Sequence, residues 1–401
     1  MKIGILTFHS AINNGAVIQA FSLSSRIKDF LKSGDTVEII NYQMPVLDDY
    51  YKTSLSKHLA GSNPVIALKK IYRLLGNPNR FRQDKERFNI FRNSLNKLDL
   101  SETLIQSNDT EELFSFIENE YDIVVAGSDA IWNYDLWGWP NPYFLSKDLN
   151  VCKMSYAASV FGMNYELINK KDANIIADTL NSYSFLGVRD DESINFAKKI
   201  GVTKQLVHTC DPTVFLDLSK LPINPDELIT KLKAKGFDFN KTSIAVMGSD
   251  ALCEMIRRMF GNEYQVVSLF NYCVKADINL YDLSPFEWAY VFRYFSVTFT
   301  TFFHGTLLSL KNNTPVICFA LNSSYADKHT TKVEDLLNRI NLSDCYFQSD
   351  YRDQNYNEIK EHALKILNKE INYNLPEKME HESKSSDVFF DALGIELGYH
   401  T

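Results

Sequence analysis

The sequence predicts an α/β protein of two Rossmann-like domains whose parallel sheets face a cleft, and three observations carry that expectation. The chain has 401 residues, too long for one ordinary core and suited to two domains of roughly 150 to 200 residues each. Short apolar runs rich in β-branched residues recur along it, with helical patterns between most of them. Runs such as "YDIVVAG" are close to continuously apolar, as strands covered by helices on both faces are.

In the first half the expected strands are "KIGILTF" (2–8), "TVEIINY" (36–42), "YDIVVAG" (121–127), "KMSYAAS" (153–159), "FLGVRD" (185–190) and "LVHTCDP" (206–212). In the second half they are "SIAVMGS" (243–249), "YQVVSLF" (264–270), "SVTFTT" (296–301) and "PVICFA" (315–320). Helices are expected over 14–32, 165–181, 191–200, 251–260 and 285–294. Around 217–240 the pattern loosens, with prolines and several lysines, which places a linker there. The expected domains are therefore 1–216 and 217–374, followed by a tail, 375–401. The start of the tail is polar, and its "DVFFDALGIEL" is amphipathic enough to pack back onto a domain.

Hydrophobic residues make up 45% and charged residues 23% of the chain, the balance of a soluble globular protein. A formal charge of -8 argues against nucleic acid as a partner, because that affinity comes from many Lys and Arg neutralising phosphates. Six cysteines lie far apart with no CxxC, as reduced thiols in a reducing compartment do. "MKIGILTFHS" reads as a first strand rather than a signal peptide, and nowhere is there an uninterrupted apolar stretch of about 20 residues. The expectation is a cytoplasmic protein.

Residues 69–97 form the one basic stretch in this acidic chain. Phe81, Phe88, Phe91 and Leu95 fall on one helical stripe, with Arg80, Arg82, Lys85, Arg87 and Arg92 elsewhere. Two readings stand side by side: a peripheral contact with anionic lipid headgroups at the inner face of the membrane, or an ordinary helix docked by its aromatic stripe.

Five corners between strand and helix carry polar residues. In "TFHSAINNGAVIQAF", Asn14 and Gly15 stand at a helix start whose amides suit an anionic or hydroxyl-rich ligand; a plain turn is the competing use. In "VVAGSDAIWN", Ser128 and Asp129 offer acceptors for sugar hydroxyls and Trp132 a face for a sugar ring, unless they are a helix cap and a core residue. "FLGVRDDES" ends a strand on Arg189, a planar fork for a carboxylate or phosphate, or else a partner for Asp190 or Asp191. In "HTCDPTVFL", Asp211 is an acid or base facing the cleft, or a structural Asp-Pro turn. Finally "TFFHGTLLSL" sets His304 where a buried strand turns into a helix, with the amides of Gly305 and Thr306 behind it to hold phosphate, and Lys328, His329 and Lys332 follow the next strand; a capped His beside a solvated basic loop is the competing reading. No metal-ligand cluster is visible.

In this order the pieces "NNGAVIQAFSL", "YDIVVAGSDAIWN", "KMSYAASVFG", "LGVRDDES" with "CDPTVFL", and "FFHGTLLSLKNNTPVICF" with "TTKVEDLL" resemble the polysaccharide pyruvyl transferase family. The resemblance implies a GT-B-like pair of domains and transfer of pyruvate from phosphoenolpyruvate onto two hydroxyls of one sugar as a cyclic ketal. It implies that Arg189 and His304 bind the donor and that His304 is essential, with the N-terminal domain on the acceptor side and the C-terminal domain on the phosphoenolpyruvate side. Some members carry a basic residue just before the His; this chain has Phe302 and Phe303, and Lys328 or Lys332 is expected to supply the charge. Asp211 or Asp129 is expected to handle the hydroxyls of a sugar or lipid-linked oligosaccharide acceptor. Phosphoenolpyruvate is then a substrate, and no cofactor or metal is required. The competing readings are a nucleotide-sugar glycosyltransferase of the same architecture and a non-catalytic carbohydrate binder.

Overall fold

A computed structural model describes residues 1–44, 78–269, 271–320, 331–348 and 356–399. The chain divides into two compact units at Leu216 and Asp217. The first unit takes back the C-terminal segment from Glu382, and the second runs from Asp217 to His381 and includes the stretch that ends at Ser94.

The first unit is built on β1 (Lys2–Leu6), α1 (Asn14–Phe30), β2 (Thr36–Ile39), α2 (Pro78–Leu95, whose last residue is its share), α3 (Thr110–Glu120), β3 (Ile123–Ala126), β4 (Cys152–Ala158), α4 (Lys170–Asn181), β5 (Phe185–Val188), α5 (Asp191–Ile200) and β6 (Leu206–His208). Its strands pair in parallel in the order β2-β1-β3-β4-β5-β6. Every residue of β3 and β5 is buried, which accounts for their unbroken apolar runs. Short polar caps start the helices: Asn13 accepts from the Gly15 amide at α1, and Asp190 from the Ser193 amide at α5, which Gly201 ends in the left-handed region.

The second unit contains α6 (Pro225–Ala234), β7 (Ser243–Met247), α7 (Asp250–Phe260), β8 (Gln265–Leu269), β9 (Ile278–Leu280), α8 (Pro285–Val291), β10 (Val297–Thr300), α9 (Phe303–Lys311), β11 (Val316–Phe319), α10 (Lys332–Arg339), β12 (Tyr346–Phe347) and α11 (Asn357–Leu367). Its sheet is also parallel, in the order β12-β11-β10-β7-β8-β9. Thus both sheets are doubly wound, and the strand order reverses between β1 and β3 in one and between β7 and β10 in the other. Outside the carboxyl ends of the strands at such a reversal is where open α/β sheets bind ligands.

Three details differ from the sequence expectation. β9 and β12 are edge strands of three and two residues, too short to show a periodic signal. The helix expected over 165–181 is a 3₁₀ turn at Tyr165–Leu167 and a separate helix α4, because Asn169 caps the latter. The polar stretch at the start of the tail folds as α12 (Leu375–Ser383), and α13 (Asp387–Glu396) follows it. In the first unit, Phe389 of α13 lies edge-on to Tyr156 at 4.8 Å, Phe390 packs on Phe30 at 5.4 Å, and Ser386 Oγ is 2.8 Å from the Tyr156 hydroxyl.

Of the basic stretch, residues 69–77 and the side chains of 78–85, Phe81 among them, lie outside the described residues. Phe91 and Leu95 of α2 are buried, and the Arg92 guanidinium sits 5.3 Å over the Phe88 ring. Among the described residues no helix is long and apolar enough to cross a membrane.

Candidate functional site

At the carboxyl edge of the first sheet, a chain of buried charges links three of the sequence-predicted residues. Arg189 follows β5 directly and is 2% exposed. Its Nη2 donates to Asp129 Oδ1 at 2.9 Å and its Nη1 to Asp211 Oδ2 at 3.1 Å, while Asp190 Oδ2 stands 3.9 Å from its Nε. Burial alone lowers a guanidinium's pKa; the three carboxylates overcome that and raise it. Arg189 is therefore neither a surface partner of Asp190 nor an open fork. Its geometry corrects the expectation of a donor-binding arginine, because both amino groups hold carboxylates and an anion brought here would meet three negative groups.

Asp211 is both the turn residue and the buried carboxylate. Its Oδ1 accepts from the Thr213 amide at 3.0 Å, capping the 3₁₀ turn Pro212–Phe215, and its Oδ2 accepts from Gln19 Nε2 at 2.5 Å as well as from Arg189. With a side chain 2% exposed, against 11% for Asp129, it is the member of the pair less able to touch a substrate.

Asp129 is held by backbone. It lies in the left-handed region at φ 75, its amide donates to Ala157 O at 3.2 Å, and its carbonyl accepts from the Ser159 amide at 2.9 Å. Asp tolerates that region better than most residues, but Gly127 before it has no substitute. At φ 145, a Cβ on Gly127 would overlap the Tyr156 carbonyl oxygen. Gly127→Ala is expected to cost about 1–3 kcal/mol or more by forcing β3 and β4 apart, measured as a lower urea midpoint with an unchanged slope.

Ser128 is buried, and among the described residues its Oγ has no hydrogen-bond partner. Trp132 is a correction: it is 0% exposed, stacked on Phe144 at 5.6 Å and bonded through its indole N–H to Tyr143 O, so it is core and presents no face to a sugar. Asn14 is the first residue of α1 and buried, and the Gly15 amide is already taken by Asn13 Oδ1 at 3.0 Å, so that amide is not open to a ligand. Gly15 also has no positive φ.

Two residues at this edge were not singled out from the sequence. Gln19 reads there as one more polar position on a helix, and only the fold brings it to Asp211. His9 follows β1, is 0% exposed, and its Nδ1 lies 3.4 Å from Thr7 O. Burial pushes its pKa down to about 4. The unfolded chain takes up a proton near pH 6.5, which the folded protein refuses until about pH 4, so His9 supports the fold above that window and the support is lost as pH falls through it. About 3 kcal/mol of stability is expected to disappear on this account between pH 6.5 and 4. In a His9→Phe variant that part of the pH dependence should be missing from urea unfolding curves.

In the second unit, β10 ends at Thr300 and α9 starts at Phe303. The cap position is Phe302, whose side chain accepts nothing, and Thr300 Oγ1 takes the Phe302 amide at 2.9 Å. His304 is the second residue of α9, half-buried, with its ring edge-on to Phe303 at 5.4 Å. Gly305 lets the helix start sit on the strand ends: a Cβ there would come 2.7 Å from Thr300 Oγ1 and 2.8 Å from Met247 Sδ. Thr306 does not serve as expected. Its amide and hydroxyl both donate to Phe302 O, at 3.0 and 3.1 Å, and its side chain is fully buried.

Lys332 is the first residue of α10, half-buried, beside the capping box of Thr331 and Glu334. Because β10 and β11 are adjacent and parallel, α9 and α10 both begin at the carboxyl edge of the sheet. Lys328 and His329 lie outside the described residues. His304 thus stands at the β7–β10 reversal, with the positive end of a helix around it.

Among the described residues one group has the donor types of a cation site: Asp344, Cys345 and His362, with ligand atoms within 4.8 Å of one another. It precedes β12 and so lies at the amino edge of the second sheet, where His362 Nε2 is 3.0 Å from the Tyr373 hydroxyl. A cavity of about 630 Å³ lined by Arg339, Asp344, Tyr373, Lys378 and His381 opens at the same edge. Strand geometry sets it apart from the His304 corner.

Residues 27–323 match the family model of polysaccharide pyruvyl transferase. The chain belongs to that family. The match spans the corners of Asp129, Arg189, Asp211 and His304 and leaves out Asn14, Gln19 and Lys332. No curated protein matches the sequence. In structure this family member is similar to the UDP-GlcNAc 2-epimerase from Neisseria meningitidis bound to UDP-GlcNAc, at 10% identity and a TM-score of 0.56 over 98% of this chain and 99% of that one. It is similar also to the UDP-GlcNAc 2-epimerase from Methanocaldococcus jannaschii, at 10% identity and a TM-score of 0.55 over 97% and 99% of the two chains. At such identity the likeness is one of fold, a GT-B-like α/β fold of two parallel six-stranded sheets.

Proposed function

We propose that this pyruvyl transferase moves pyruvate from phosphoenolpyruvate onto two hydroxyls of a sugar in a surface polysaccharide or its precursor, closing a cyclic ketal and releasing phosphate. The observation that carries the reading is His304 at the start of α9, at the strand reversal of the second sheet, in a chain of this family.

An enol phosphate becomes electrophilic at C2 once its methylene carbon is protonated, so the reaction needs a positioned acid, positive charge for the carboxylate and phosphate, and a base for the hydroxyls. His304 contacts the donor phosphate and moves a proton. The α9 start and Lys332 supply positive potential. A proton adds to the methylene carbon, making it the methyl group, and the first hydroxyl oxygen bonds to C2 as its own proton leaves. The C2–O bond to phosphate then breaks with its electron pair on phosphate, the second hydroxyl oxygen bonds to C2, and its proton departs.

On the acceptor side Asp129 is the carboxylate that meets a hydroxyl, being the more exposed of the pair; Arg189 and Asp211 hold it in place. Release of phosphate from phosphoenolpyruvate, together with a product weighing acceptor plus pyruvate less water, tests the reading. The assay offers a panel of methyl glycosides and a lipid extract from surface-polysaccharide-making cells as acceptors. Turnover of UDP-GlcNAc instead would favour nucleotide-sugar chemistry.

A further inference from the structure

We propose that Gln19 is a positioning residue for the acceptor-side carboxylate, acting on Asp129 through Asp211 and Arg189. The inference rests on the reading that Asp129 meets an acceptor hydroxyl, and extends it to a residue of α1 outside the family match.

Gln19 is 1% exposed and reaches across 192 positions of sequence to Asp211. Its Nε2 donates at 2.5 Å to the same Oδ2 that takes Arg189 Nη1 at 3.1 Å, while the Thr213 amide takes Oδ1. Three donors therefore converge on Asp211, and the oxygen facing Arg189 is shared. A carboxylate oxygen that divides its lone pairs between two donors pulls less on either. Arg189 is thereby drawn less strongly to Asp211 and more to Asp129, whose side chain is 11% exposed against 2% for Asp211.

A second observation separates this from ordinary packing. Among the described residues, Gln19 Oε1 is buried with no hydrogen-bond partner. An idle buried acceptor costs free energy that an apolar side chain of the same shape would not, so what position 19 uses is the amide's donor end. Charge also selects the amide: a glutamate there would add a carboxylate to a network that already sets one guanidinium against Asp129, Asp190 and Asp211. Glu382 stands near the Cys210 thiol; among the described residues beside Asp211, the Tyr156 hydroxyl is raised by burial and the Cys210 thiol is pushed up to about 12 by burial. Both stay protonated across the working range, so neither masks a titration of Asp129.

The test is carboxyl-carbon NMR of the full chain labelled with ¹³C-aspartate, with Asp129 assigned through Asp129→Asn, titrated in the wild type, Gln19→Glu and Gln19→Met. In Gln19→Glu the new carboxyl shares a buried site with Asp211, so the carboxylates titrate as a coupled set and the Asp129 midpoint is expected to shift from its wild-type position. In Gln19→Met, which keeps the shape and loses the donor, the Asp129 resonance is expected to move with the fold intact. Phosphate release should show its acid limb displaced in Gln19→Glu in the same direction as the NMR midpoint. An Asp129 resonance and midpoint unchanged in either folded variant would overturn the proposal. Failure of the wild type to bind phosphoenolpyruvate would instead overturn the donor reading, since the titration reads the link from Gln19 to Asp129 without any substrate.

Discussion

His304→Ala is expected to lower pyruvyl transfer by about 10²–10⁴-fold, the range in which a positioned proton-transfer group contributes, and to weaken phosphoenolpyruvate binding. The fold should survive. His304 is half-buried at a helix start, and an edge-on ring contact such as the one it makes with Phe303 is worth about 0.5–1.5 kcal/mol. The pattern of loss is informative as well as its size. A group that only anchors the phosphate raises KM and spares kcat, whereas one that also moves the proton lowers kcat. His304→Gln, which keeps a hydrogen-bond donor near the ring's position but cannot exchange a proton near neutral pH, should recover part of the binding and little of the rate. Steady-state phosphate release from the three proteins checks both.

Arg189→Met is expected to destabilise the first unit by about 3–5 kcal/mol, the cost of stripping a buried cation from its carboxylates. Asp129, Asp190 and Asp211 surround the guanidinium, and the first and last are hydrogen-bonded to it. Because the carboxylates raise the Arg189 pKa, its contribution is present below the ordinary guanidinium range for as long as those carboxylates are ionised, and it is lost as pH rises through the raised pKa. Arg189→Lys keeps the charge but not the planar fork, so it can serve one carboxylate at a time and should fall between the wild type and Arg189→Met. Urea unfolding of the three proteins decides this. A change within about 0.5 kcal/mol in Arg189→Met, the scatter of ordinary surface substitutions, would mean that the charges are better solvated than the geometry indicates.

The parallel sheets were legible because β3, β5, β7, β10 and β11 are buried along their whole length, which writes an unbroken apolar run into the chain. β9 and β12 escaped for the converse reason: two or three residues at a sheet edge impose no pattern. At the site, the sequence marks the corners and not their company. Asp129, Arg189 and Asp211 each stand at the end of a strand, but their meeting depends on β3 and β5 flanking β4, and β6 flanking β5. An arginine at such a corner looks equally suited to a ligand or to a buried partner, and only the fold supplied the two carboxylates that occupy it. Trp132 was ambiguous in the same way, since an aromatic after a strand can turn outward or inward, and it turns inward. Gln19 was invisible because a lone amide on an amphipathic helix has no periodicity to betray a buried partner 192 positions away.

The account turns on an anionic enol bound at the His304 corner, and calorimetric titration of phosphoenolpyruvate into the wild type and His304→Ala, with UDP-GlcNAc as the control ligand, measures that directly. The expected result is phosphoenolpyruvate binding to the wild type, clear weakening in His304→Ala, and no heat from UDP-GlcNAc. Binding of UDP-GlcNAc with none of phosphoenolpyruvate, or phosphoenolpyruvate binding indifferent to His304, would contradict it.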